Sequence, residues 1–197
     1  MATVPLDDLR CKSRRAWFTW LAKNHGKSPG VWLVLAKAGS GQASVTYLEA
    51  VEGALAYGWI DGQKNGRSET EWAQKFVPRG KKSLWSKVNR EKAAKLIADG
   101  EMAPAGLAEI ERAKADGRWD AAYDPPSRAK ADPDFQAALD ANPEAKAFWE
   151  TLGSGHRYSM LFRIHTVKKA ETRARKIEEF VAMLARGETV HLFKKPS

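Results

Sequence analysis

The sequence predicts an α+β protein: a small N-terminal sheet with packed helices, followed by a helical C-terminal subdomain. Three observations carry this reading. The apolar run Val31-Trp-Leu-Val-Leu-Ala36 and the segments 59–63 and 69–77 have strand character. Residues 13–24 and 46–57 repeat apolar side chains at helical spacing. Beyond Pro133, the periodic segments as far as Gly187 read as helix.

The elements follow in order. Residues 13–24 form a helix with Trp17, Trp20 and Leu21 on one face and Ser13 as its cap, ended by His25-Gly26. Ser28-Pro29-Gly30 makes a turn into the strand 31–36, and residues 38–42 form a loop. In the helix 46–57, Thr46 and Glu49 match a capping box, and Leu48, Val51, Ala54 and Leu55 are expected inward. Gly58 stops it. The strand 59–63 and a return strand 69–77 are expected to pair as a hairpin around Asn65-Gly66, although helix stays possible for residues 69–75.

After Pro78 a helix is expected from Ser86 or Asn89 to Ala98, and another from Pro104 to about Asp116. Pro125-Pro126 mark a linker, so the expected organisation is an α+β domain over 1–120, a linker over 121–132 and helices over 133–190. Four helices are expected there, over 134–141, 143–152, 156–166 and 170–186, the last with Ile177, Phe180, Val181 and Leu184 at core spacing.

The chain has 197 residues, 43% of them hydrophobic, and eight tryptophans, which is the composition of a folded protein rather than a disordered one. Its net charge is +9, which points towards polyanions such as nucleic acid, phosphorylated metabolites or an anionic surface. The single cysteine, Cys11, excludes an intrachain disulfide and fits a reducing compartment. Flanked by Arg10 and Lys12 near a terminus expected to fray, it is a poor candidate nucleophile. The N-terminus lacks a basic start and an apolar run, and no stretch approaches the roughly 20 apolar residues of a membrane span, so a cytoplasmic protein is expected.

Two segments stand out for chemistry. In Tyr57-Gly-Trp-Ile-Asp-Gly-Gln-Lys64, Asp61 sits in an apolar strand pattern between Gly58 and Gly62. It reads as the floor of a pocket, where it orients a ligand or acts as a base, or else as a turn residue or half of an ion pair. In residues 75–95, eight side chains are basic and only Glu91 is acidic, a local charge of +7. Arg79, Lys82, Lys87 and Arg90 would hold an anion, Ser83 and Ser86 would donate to it, Trp85 would stack, and Trp59, Asp61, Gln63 and Lys64 would complete the cleft. A third, weaker region is basic from Arg157 to Lys176; His156 and His165 have no metal-ligand spacing, and no metal or cofactor is expected. The sequence holds no phosphate-binding loop, dinucleotide fingerprint or nucleophile elbow.

These motifs, with Trp32-Leu-Val-Leu-Ala-Lys-Ala-Gly-Ser-Gly41, Phe76-Val-Pro-Arg79, Ser83-Leu-Trp-Ser-Lys-Val-Asn89 and Ala170-Glu-Thr-Arg-Ala-Arg-Lys-Ile177, give a chain that resembles the bacterial YdeI/OmpD-associated, or bacteriocin-protection, family over residues 17–187. The resemblance implies tolerance to bacteriocins and association with a porin, and brings no catalytic residues with it. The missing leader weighs against direct contact with an outer-membrane porin. The leading expectation is therefore an anion-binding or phosphate-ligand-binding protection protein. An enzyme using Asp61 on a nucleotide or other phosphorylated substrate, and a nucleic-acid-binding protein, stay open beside it.

Overall fold

In the computed structural model, which describes residues 5–191, the chain forms two compact units, 1–122 and 123–194. The fold is α+β, as its sequence predicts.

The first unit is built on a four-stranded sheet of order β1-β2-β4-β3. β1 (Asp8–Arg10) runs parallel to β2 (Val31–Ala36), as the helix between them, α1 (Arg14–Asn24), requires. β2 pairs antiparallel with β4 (Glu71–Pro78), and β4 with β3 (Trp59–Gly66). β2 is central and buried almost throughout, which is why it reads as an unbroken apolar run. β1 escapes the sequence reading because it has only three residues and is mostly exposed. It leaves Cys11 buried rather than frayed, with the Cys11 carbonyl accepting from the Val45 amide.

The helices start where their caps place them. The Ser13 hydroxyl accepts from the Ala16 amide at the head of α1. Thr46 and Glu49 complete a capping box on α2 (Tyr47–Ala56), and Ser86 accepts from Asn89 on α3 (Lys87–Ala98). α4 (Pro104–Ala115) opens on proline, whose missing N–H costs nothing in the first turn. At the end of α2, Gly58 has φ of 72°, a left-handed conformation that favours glycine. Gly106 serves a different need: a Cβ there would meet the Ala56 carbonyl and the Met102 sulfur, so only glycine lets α4 lie against the end of α2.

The core of this unit is aromatic. Trp17 stacks on Trp20 at 5.5 Å and lies 5.5 Å from Phe76, and Trp20 meets the edge of Trp59. The buried indole N–H groups of Trp17 and Trp59 donate to the carbonyls of Ala50 and His25. In α2 the inward residues include Ala50, Val51, Ala54 and Leu55, whereas Leu48, expected inward, is 61% exposed. Asn65-Gly66 also differs from expectation. Both residues extend β3, and the chain turns at 67–70, where the Ser68 hydroxyl accepts from the Thr70 and Glu71 amides.

The second unit is helical: α5 (Pro133–Asp140), α6 (Pro143–Thr151), α7 (Ser154–His165) and α8 (Ala170–Ala185). Their core includes Phe135, Leu139, Trp149, Met160, Ile177, Phe180 and Leu184. Arg173 of α8 donates to Asp132, Asp134 and the Ile164 carbonyl, tying three elements together. The hydrogen bond from Arg173 is the main reason the Asp134 carboxyl is held below its ordinary pKa. No helix among the described residues is long and apolar enough to cross a membrane.

Candidate functional site

The basic segment 75–95 holds the charge surplus of the first unit. The remaining residues of 1–122 carry 12 basic and 13 acidic side chains and are close to balance. The fold sorts the segment's cations into two groups, one inside and one in water.

The inner group begins with Arg79, which is 5% exposed. Its guanidinium lies 3.9 Å from the centre of the Trp85 ring and donates to the Leu84 carbonyl. A second arginine, Arg118, is equally buried and donates to the Ser83 carbonyl at 3.0 Å. Arg112 donates to the Arg79 carbonyl. Glu109 of α4, 7% exposed, ties these together by accepting from Arg112 and from Arg118 Nη1. Burial works to lower the Arg118 pKa, but its hydrogen bonds to Asp116 and Glu109 outweigh it and hold the group above its ordinary value. Three buried charges in one network need this degree of pairing, because an uncompensated buried charge is strongly destabilising. The network pins the loop 79–86 through its own carbonyls.

The outer group stands on that pinned loop. Lys81, Lys82 and Lys87 are exposed. Neither Lys81 nor Lys82 is in an ion pair among the described residues, whereas Lys95 is paired with Asp99. Arg90 is half-buried, lies 5.1 Å from the centre of the Trp119 ring and donates to the Trp119 carbonyl. Lys87, Arg90, Glu91, Ala94 and Trp119 line a groove of about 440 Å³. The first turn of α3 contains no acidic side chain, so the positive end of its helix dipole adds to the lysines. The hydroxyl oxygens of Ser83 and Ser86 both accept from backbone amides, of Gly80 and Asn89, which shapes the loop and starts the helix.

The strand half of the expected cleft is placed differently. Trp59 is 1% exposed and belongs to the core. Asp61 is half-buried and accepts from the Tyr47 hydroxyl at 2.8 Å. Gln63 and Lys64 are exposed, and the Lys64 ammonium sits 4.4 Å from the centre of the Trp72 ring. Between Asp61 and Lys64 the register with β4 shifts by a bulge, and the buried Gln74 amide donates to the Gly62 carbonyl at 2.7 Å, filling that break in the ladder. Asp61 thus belongs to a group with Tyr47, Lys64 and Trp72, while Arg79 and Trp85 belong to the Glu109 network. Arg112, Arg118, Glu109 and Trp119 all shape the site without having been legible in the sequence.

In the second unit the basic region is largely engaged. Arg157 donates to the Trp149 and Glu150 carbonyls, Arg173 binds two aspartates, and Lys176 pairs with Glu179.

Fold and site together define a two-unit α+β protein with a cationic face on its sheet-bearing half. Residues 9–109 match the family described as a domain of unknown function (DUF8412), and the chain belongs to it. Residues 128–187 match the family described as Bacteriocin-protection, YdeI or OmpD-Associated, the one its motifs resemble. That second match is shorter than the sequence suggests: it spans the helical unit, including the Ala170–Ile177 motif, and the sheet-bearing half lies in the first family. No curated protein and no solved structure matches the chain.

Proposed function

We propose that the chain is a cytoplasmic, phosphate-recognising protein that binds polyanions through the face formed by Lys81, Lys82, Lys87 and Arg90. One observation carries this reading: the exposed lysines stand on a loop whose carbonyls are fixed by the buried guanidiniums of Arg79 and Arg118. A loop held this way presents its charges without first having to be ordered, and preorganised charge binds more tightly than mobile charge. The bacteriocin-protection role named for the family of the second unit is compatible with such a surface.

Because the lysines lie in water, binding should depend steeply on salt. The test is fluorescence anisotropy with a single-stranded oligonucleotide and with heparin at low and moderate ionic strength. Replacing Lys81, Lys82 and Lys87 together by alanine should make the log–log salt slope for the oligonucleotide shallower by about 2, at roughly 0.7 per phosphate released. Unchanged affinity and an unchanged slope in this triple variant would refute the assignment.

A further inference from the structure

The second unit contains a cavity that the cationic face does not explain. It lies between α7 and the segment 123–132 and has about 40 Å³ open to the centre of a water molecule. That is room for about three waters at the usual allowance per molecule.

Its polar and aromatic lining is specific. Tyr158 and Phe162 are four residues apart on α7, so both rings project from one face of the helix. Their centroids are 5.8 Å apart with planes tilted by 38°. Tyr123 meets Phe162 edge-on at 5.0 Å and 89°, so two ring planes stand at right angles. Asp124 and Asp132 also line the space, over an apolar base that includes Phe135 and Ile164. Asp132 is already engaged by Arg173. Lys130 and His165 line it as well, but both are exposed, and water screens their charge more than it screens groups deeper in the unit.

The faces of aromatic rings are electronegative and attract cations, most strongly where water is displaced. The charge environment has the same sign. Burial, then the charges of Tyr123 and Asp124, push the Tyr158 phenol up to about 12, so this place resists gaining negative charge. A neutral apolar guest would use the rings but not this field. A phosphate would meet the aspartates and the ring faces.

We propose that this cavity binds a small organic cation of the alkylammonium class, its head held among Tyr123, Tyr158 and Phe162 with Asp124 supplying the countercharge. The site is independent of the polyanion face, lies wholly in the other unit and takes a ligand of opposite sign.

The experiment uses the full chain and two probes of nearly equal shape, choline and its uncharged carbon analogue 3,3-dimethylbutan-1-ol, titrated by amide-resolved NMR. Choline should shift the amides of α7 and 123–132 saturably, with the alcohol at least about tenfold weaker, the size of effect a partly desolvated cation–π contact provides. Phe162→Leu keeps apolar bulk but removes a ring face, and Tyr123→Leu does so from the facing segment. Each should weaken choline severalfold, and Asp124→Asn should do the same. A thermal melt establishes which variants remain folded, and any one folded variant suffices. Equal affinity for the alcohol, undiminished choline affinity in a folded ring variant, or no shift with choline would overturn the proposal.

Discussion

Glu109→Ala removes the one carboxylate that joins the buried arginines of the first unit. The magnitude follows from what each partner loses. Arg112 has a side chain 41% exposed, so it can turn to water and contributes little. Arg118 has a side chain 5% exposed; it keeps Asp116, itself 42% exposed, but loses its buried partner. Breaking a buried pair by removing one member costs about 3–5 kcal/mol, and the retained Asp116 contact places this case near 3. With an unfolding entropy of roughly 2.1 cal/mol/K per residue over a unit of about 120 residues, 3 kcal/mol lowers the melting temperature by about 12 °C. The assay is a thermal melt followed by tryptophan emission, which reports on this region because Trp85 and Trp119 lie within it, their centroids 4.8 Å apart. Glu109→Gln, which keeps the volume and an acceptor, should fall roughly halfway. A loss below about 3 °C for the alanine variant would refute the argument that the loop 79–86 is held from beneath by paired charge.

Further outcomes are expected elsewhere. Burial raises the Cys11 thiol to about 11, so at pH 8 it should alkylate about a hundredfold more slowly than a free thiol of ordinary pKa in an iodoacetamide time course. A rate within threefold of the free thiol would show that β1 does not shield it. Arg173→Ala should cost the second unit about 1 kcal/mol at neutral pH, because the pairs it breaks are partly exposed. The Asp134 carboxyl is depressed in the fold, so its stabilisation is present above its unfolded pKa and is lost as pH falls through its folded value. The difference between wild type and Arg173→Ala in urea titrations should therefore be full above about pH 5 and shrink on acidification below about pH 4. A difference that stays constant with pH would remove Asp134 from the account.

The fold was legible where short-range chemistry decides it. Ser13, Thr46 with Glu49, and Ser86 announce their helices because a hydroxyl three residues from a free amide has one favourable use. β1 was not legible, because it exists through its ladder with β2 and has no apolar pattern of its own. Leu48 shows the limit of periodicity: spacing locates a helix but does not fix where its buried face ends. The site was legible as a stretch of charge and not as an arrangement. Composition counts Arg79 and Lys81 alike, whereas the fold lays one on Trp85 beneath the loop and leaves the other in water. Trp119 read as the start of a linker, and its role depends on Arg90, 29 residues earlier in sequence.

The parallel seat of β1 also bears on solubility. Without it, the edge of β2 would present Val31-Trp-Leu-Val-Leu-Ala36, a flat, uncharged segment of high β-propensity, to any neighbouring chain. Three residues carrying Asp8 and Arg10 cap that edge, and Arg67 and Glu71 clamp the two charges with an ion pair each. The short strand therefore acts as a gatekeeper against fibrous self-association. Its loss would be felt first as precipitation during synthesis, before any measured change in the stability of the folded protein.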